Sequence, residues 1–391
     1  MKQHRRSLMA VALTVVCACG GCMDHPIGSL RASKHWKPIF REDSGGWRAG
    51  FVNLHDLVFV TRQRGWIVRE TSGGQGISYE LLRSEDGGAT WHPEAFSVAV
   101  IRFRGDVGWA VEYRYRDDLS RLPNRIWRTE DAGRSWRSGE TEARDYVALS
   151  VVSDLEAWAI CQPPVTLHAP SPHAGLLHTR DAGRTWHEVR LPANGRLNDL
   201  SDLFFLDRDH GWIISLDSKP EHGPHGEISR TFVKPILSTA DGGRTFRKAE
   251  VRVRTSWRAF LDRPRIQFVD SHNGWAAISA TSLLRSLDGG ASWREVVPRV
   301  KGSPSLPVLY DCSFRSPDEG WAVGDRTLHT TDGGNTWAEV DAGADVENAR
   351  LREVFFLDVR TGWIVGEGGY GPNDMTRVAG HWMSYVLKYV P

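Results

Sequence analysis

Apolar and polar residues alternate along this chain in short runs rather than at the 3.6-residue spacing of a helix. The first unit shows it: an alternating run at residues 57–61, a polar turn at 62–64, then Gly65-Trp66-Ile67-Val68. Residues 80–83 form a third run and residues 90–96 a fourth. Runs of this length bounded by turn residues predict β-strands, four to a unit, joined by hairpins. The same parse works at Ile101, Gly108-Trp109, Ile126-Trp127 and Ser135-Trp136, and in each later unit.

Two phrases mark the units. One is small-x-Asp-(Gly/Ala)-Gly-x-(Thr/Ser)-aromatic, as in Ser84-Glu85-Asp86-Gly87-Gly88-Ala89-Thr90-Trp91. It recurs at 129–136, 179–186, 239–246, 286–293 and 330–337, with its aspartates at Asp86, Asp131, Asp181, Asp241, Asp288 and Asp332. The other is an apolar run centred on a tryptophan, usually after glycine: Trp66, Trp109, Trp158, Trp212, Trp275, Trp321 and Trp363. A repeat of roughly 42 to 63 residues with four strands each is the signature of propeller blades. The predicted fold is all-β, a seven-bladed β-propeller.

The last unit lacks its fourth strand, because the sequence stops at Pro391. His35-Trp36-Lys37-Pro38-Ile39-Phe40 has the character of that missing strand, so the N-terminal segment is expected to complete blade seven and close the ring. The phrase aspartates are expected to be structural. An Asp side chain accepts hydrogen bonds from its own turn, Gly supplies positive φ, and six copies around a ring cannot share one catalytic centre. Blade connectivity puts these turns on one face and every long insertion on the other: 112–125, 162–175, 216–235, 250–264 and 367–381. Lengthened loops on one face mark the expected binding surface.

Charge narrows the function classes. The chain carries 49 Lys+Arg against 48 Asp+Glu, so no global field favours nucleic acid, and none is expected as a partner. The N-terminus has a basic segment (Lys2, His4, Arg5, Arg6) and an apolar stretch at 8–16 too short to span a bilayer. Val16-Cys17-Ala18-Cys19 then resembles a bacterial lipobox, with Cys19 the expected lipidation site and Cys22 the alternative. Residues 1–18 are expected as a lipoprotein-type signal peptide, 19–34 as a linker and 35–391 as the propeller. The protein is therefore expected to be exported and membrane-anchored, on the periplasmic or cell-surface side, as a monomer. Cys161 and Cys312 fall in the third and sixth units, too far apart in a ring for a disulfide, and are expected as buried free thiols.

Three groups of residues carry candidate chemistry. Arg244, Arg247, Lys248, Arg252, Arg254, Arg258, Arg263 and Arg265 crowd one stretch, offset only by Glu250 and Asp262. Of these Arg247, Arg252, Arg254, Arg258 and Arg263 are the expected partner-binding residues, facing an acidic partner or anionic headgroups. His222 and His225, with His168 and His173, lack the cysteine or fixed carboxylate that would complete a ligand set, so no metal is expected. His55, Asp56, Asp145, Asp199, Asp202, Arg265, Asp311, Arg352 and Glu353 should ring the mouth of the central channel. Paired carboxylates there leave glycoside hydrolysis as the competing reading.

The repeated phrase is the Asp box, or BNR repeat, and the chain resembles the photosystem II stability/assembly factor family over nearly its whole mature length. That resemblance implies a non-enzymatic binding or assembly scaffold for envelope or membrane proteins, with no cofactor and no catalytic residues. It also implies that a basic patch contacts the client; Arg247, Arg252, Arg254 and Arg258 are the nearest match. The alternative is a sialidase-like hydrolase or a lectin. Sialidases carry an Arg-Ile-Pro motif, and Asn124-Arg125-Ile126-Trp127 and Pro264-Arg265-Ile266-Gln267 are not that motif.

Overall fold

The computed structural model describes residues 35–43, 51–73, 76–112, 124–141, 145–162, 175–192, 200–215, 219–222, 228–254, 260–300, 306–342, 349–369 and 382–391. Among them all regular structure is strand, arranged in seven antiparallel sheets that follow one another around a ring. Each sheet is a blade whose first strand lies innermost. Cys19 and Cys22 lie outside the described residues.

Blade seven is closed as its sequence predicts. Trp36–Asp43 pairs antiparallel with Trp382–Tyr389, from Trp36↔Tyr389 to Asp43↔Met383, as the outermost strand of that sheet. The first and last strands thus share one blade, and separating them would open the ring.

The core is a series of seams between blades, and the seven apolar clusters each join neighbours, including blade seven to blade one. A tryptophan and a phenylalanine build most seams. Trp363 stacks on Phe59 at 3.6 Å, Trp158 on Phe205 at 4.1 Å, Trp212 on Phe268 at 3.5 Å and Trp275 on Phe314 at 3.8 Å. In each pair the tryptophan belongs to one blade and the phenylalanine to the inner strand of the next.

This packing explains the glycine of the Gly-Trp phrase. A Cβ on Gly274 would lie 2.3 Å from the Phe268 ring of its own blade, and one on Gly211 2.3 Å from Phe205. The glycines leave room for that ring rather than supply an unusual backbone angle. Blade three is the internal control: its inner strand carries Val151 in place of phenylalanine, opposite Ala157 instead of glycine.

The Asp boxes are hairpin braces. In the first, Asp86 accepts from the backbone N–H of Thr90 at 2.9 Å, the Thr90 hydroxyl at 2.7 Å and the Ser84 hydroxyl at 2.9 Å. Ser84 Oγ in turn accepts from Gly88 N–H at 2.8 Å, where φ is +96°. The same set forms at the other five aspartates. Each box also donates an N–H to the carbonyl of its blade's first turn, Gly87 to Gln63 and Gly333 to Asp318 among them, so both kinds of turn share one face.

Three expectations need correction. The fourth strand of blade one is His92–Pro93, much shorter than residues 90–96, because the box itself occupies the chain up to Thr90. The third strand of blade seven, which the sequence pattern places at Tyr385–Tyr389, begins already at Trp382. The insertion at 216–235 is largely strand rather than loop, with Lys219–His222 pairing alongside Ile228–Ala240. Cys161 and Cys312 are buried free thiols, as expected.

Candidate functional site

Blade four departs most from the repeat. Its third strand runs thirteen residues, Ile228–Ala240, and its outermost strand eight, Arg247–Arg254. The outermost strands of the other Asp-box blades have two to four residues. The long strand exists because its sequence alternates. Val251 and Val253 are buried in the seam with blade five, while Lys248, Glu250 and Arg252 point out of it. Pairing runs from Ser238↔Arg247 to Thr231↔Arg254, so the blade edge carries a continuous basic strand. Lys248 approaches Glu250 at 3.2 Å.

The sequence-predicted patch is thus partly assembled. Arg247 and Arg252 are exposed on this strand, and the backbone of Arg254 ends it. Arg263 lies in the inner strand Phe260–Phe268, and Arg258 lies outside the described residues. Arg265, counted in both the patch and the channel, belongs to the channel alone. His168, His173 and His225 lie outside the described residues, and no metal-holding cluster occurs among those described.

The channel mouth is a cavity of ≈ 390 Å³ lined by Asp56, Arg102, Asp202, Arg265, Asp311 and Glu353 together with inner-strand apolar residues. Arg265 Nη2 donates to Glu353 Oε1 at 2.6 Å and to Asp56 Oδ1 at 3.2 Å, while Arg102 Nη1 reaches Asp56 Oδ1 at 2.8 Å. One oxygen of each of the other three carboxylate side chains serves the neighbouring blade. Asp202 accepts from Ile266 N–H at 2.9 Å, Asp311 from Val354 N–H at 3.0 Å and Glu353 from Leu57 N–H at 3.2 Å. Irregularities in the inner strands at Leu200/Asp202, Leu309/Asp311 and Leu351/Glu353 place each acidic side chain beside the next blade.

Electrostatics follow from burial and from Arg265. Burial pushes the Asp311 carboxyl up to about 7, against the pull of Arg265. Asp202 rises for the same reason. Burial works to raise Glu353, but the Arg265 charge, with smaller help from His55 and a backbone N–H, holds it lowered, and Arg265 rises well above its ordinary value although burial opposes this. Every carboxylate in the mouth therefore has an ion-pair or backbone partner, an arrangement that clamps blades to one another.

Sequence reasoning found Asp56, Asp202, Arg265, Asp311 and Glu353 but missed Arg102 and Gln267. The signal is positional. Counting back from the inner-strand phenylalanines Phe59, Phe205, Phe268, Phe314 and Phe356, the third residue is Asp56, Asp202, Arg265, Asp311 and Glu353. One residue back, on the same side of the strand, stand Arg102 before Phe103 and Gln267 before Phe268. Gln267 bridges to the backbone of Phe314 with both amide atoms, at 2.8 and 2.9 Å. Of the other expected mouth residues, His55 is buried beside Glu70, and Arg352 pairs with Glu367 away from the Arg265 cluster. Asp199 lies outside the described residues, and Asp145 begins the inner strand Asp145–Val151.

Closed ring, box-braced hairpins and charged channel mouth together define an Asp-box β-propeller of the seven-bladed kind. The model of the photosynthesis system II assembly factor YCF48 family matches residues 303–370. The photosystem II stability/assembly factor HCF136 of Oryza sativa subsp. japonica is 41% identical over 331 residues, covering 75% of this chain and 73% of the relative. The photosystem II assembly lipoprotein Ycf48 of Synechocystis is 37% identical over 99 residues, 24% of this chain and 28% of that one. The solved structure of YCF48 bound to D1 peptide superposes with a TM-score of 0.54 at 17% identity, covering 94% of this chain and 100% of that chain. The chain belongs to the photosystem II stability/assembly factor family.

Proposed function

We propose that this protein is a non-enzymatic assembly scaffold that holds an extended, acidic segment of a membrane- or envelope-protein client along the outer strand of blade four. The observation that carries this reading is that strand itself, eight residues long where equivalent strands have two to four. An edge strand offers a row of backbone donors and acceptors, and here Lys248 and Arg252 add positive charge on its outward side. Arg247 and Arg254 stand at its two ends, and Arg258 and Arg263 continue the basic run in the sequence.

The family supports the assembly role, since its named members are photosystem II assembly factors and one solved relative carries a D1 peptide. A lipid on Cys19, or on Cys22, would hold the scaffold beside such clients on the exported side of a membrane. The Synechocystis relative is itself named a lipoprotein.

Crosslinking in cells followed by capture of the tagged full chain tests the reading. The expected result is a defined membrane-protein client that is lost in the Arg252→Glu/Arg254→Glu double variant. Palmitate labelling is expected to disappear in Cys19→Ala. Turnover of sialosides or β-glucans by the purified protein, abolished by Asp202→Asn or Asp311→Asn, would overturn the scaffold in favour of a hydrolase.

A further inference from the structure

Six of the seven Gly-Trp-phrase tryptophans face a basic residue on the adjacent strand. The pairs are Trp66↔Arg83, Trp109↔Arg128, Trp158↔His178, Trp275↔Arg285, Trp321↔His329 and Trp363↔Lys388. In blade four the partner of Trp212 is Ser238. Blades two and five reveal what the basic residue does. Arg128 lies 5.6 Å over Trp109 and donates to the Asp154 carbonyl of blade three at 3.0 Å. Arg285 lies 5.5 Å over Trp275 and donates to the blade-six carbonyls of Pro317 at 3.2 Å and Asp332 at 3.4 Å. Each guanidinium is held between an indole and carbonyl oxygens in the turns of the next blade.

The acceptors of that arrangement persist beside Ser238. Leu155, His272 and Asp318 each receive the Asp-box amide of their own blade, from Ala182, Gly289 and Gly333. The residue before each is Asp154, Ser271 and Pro317, so the Ser271 carbonyl stands where Asp154 and Pro317 accept from arginine. Asp288 is likewise the counterpart of Asp332. A cavity of ≈ 330 Å³ opens here, lined by Trp212, Ser238, Asp241, Arg247, Ser271 and Asp288 among others. Trp212 closes its inner end, stacked on Phe268 and donating its indole N–H to Gly289 O at 2.8 Å.

Arg247, opposite Ser238 on the outer strand, does not exclude a second cation. The same outer position holds Arg137 opposite the seated Arg128, and Arg294 opposite the seated Arg285.

We infer that the Ser238 cavity between blades four and five is a receptor for an alkylguanidinium group from outside the chain, either a free arginine-like molecule or an arginine side chain of a partner. It lies among the Asp-box turns and does not rest on the client-binding reading. The Asp241 and Asp288 carboxylates and the turn carbonyls supply the acceptors, and the vacated place of the blade-two and blade-five arginines supplies the room.

The test is an NMR titration of the folded protein, following the Trp212 indole N–H. The probes are L-arginine, N-acetyl-arginine-N-methylamide and the neutral citrulline analogue. A saturable shift in the millimolar range is expected with one or both arginine probes, at least about tenfold weaker with citrulline. Binding of the blocked residue alone assigns a partner side chain, and binding of the free amino acid alone a small molecule. Ser238→Arg supplies the group from within and is expected to abolish the shift and raise the melting temperature. Should that variant not fold, Ser238→His, the residue type of blades three and six, replaces it. No saturable shift up to about 50 mM, equal binding of citrulline, or a shift that survives the filling substitution would overturn the inference.

Discussion

Trp36 meets Trp321 edge to face, with ring centroids 5.6 Å apart and planes at 89°. The first strand of the ring is thereby locked into the seam between blades six and seven, where Trp36 is fully buried and also touches Phe356 and Tyr389. A large side chain at a closure point has neighbours on both sides that cannot collapse independently. Trp36→Ala is expected to cost about 3–5 kcal/mol in chemical denaturation, a core-cavity cost despite its position near the N-terminus. A loss below about 1 kcal/mol would mean that the closing strand is dispensable.

The pairing of Phe268 with Gly274 predicts a compensating double substitution. Gly274→Ala places a methyl where the Phe268 ring lies and is expected to destabilise by about 1–3 kcal/mol through overpacking. Blade three tolerates Ala157 because Val151 stands opposite. In a double-mutant cycle, Phe268→Val should therefore make Gly274→Ala nearly neutral, although Phe268→Val alone costs stability in the seam with Trp212. Additive losses would refute this account of the Gly-Trp phrase.

Much of this was legible in the residues, and the illegible part has a common cause. Asp86 and its five counterparts announce hairpins because each box is local: donor and acceptor lie within four residues. Trp36 resembles Trp91 in its neighbours, which is enough to assign the closing strand. Side-chain direction across blades is not local. Arg265 reads as one more arginine of a basic stretch until its place three residues before Phe268 turns it into the channel. The strand ending at Arg254 was half legible. Alternation turns Val251 and Val253 inward and Arg252 outward, but residues 250–264 also read as an insertion between blades. Its eight-residue length follows from the packing of those valines in the blade-five seam. Ser238 carries no signal alone; it becomes informative only when strand register aligns it with six basic residues.

Asp181 should show an acid-side dependence. Burial works to raise its pKa, but the hydroxyl and N–H of Thr185 and the hydroxyl of Thr179 outweigh it and hold the carboxyl at about 2. A carboxylate depressed in the folded state contributes stability above its unfolded pKa of about 3.9 and loses it as pH falls toward the folded value. Asp181→Ala is expected to cost about 1–2 kcal/mol at pH 7, as for a lost capping carboxylate. The gap between wild type and variant should narrow between about pH 4 and pH 2. A gap that stays constant through that window would assign the loss to the turn's backbone instead of the ionised side chain.

Asp311 should behave in the opposite sense. Its folded pKa of about 7 lies above the ordinary value of 3.8, because the carboxyl is buried beside Glu353 with only part of the Arg265 charge to itself. Below about pH 3.8 the folded and unfolded chains both hold the proton and the group contributes no pH dependence. Between that pH and about 7 the unfolded chain releases the proton while the folded chain keeps it, so stability falls as pH rises; above 7 the penalty is constant. Asparagine keeps an oxygen for the Val354 N–H and carries no charge to bury. Asp311→Asn is therefore expected to gain on wild type as pH rises from 4.5 to 8, by on the order of 4 kcal/mol at most, read as the difference in urea unfolding free energy. A wild type that instead gains on the variant toward pH 8 would mean that Asp311 is ionised throughout and that its pairing with Arg265 outweighs its burial.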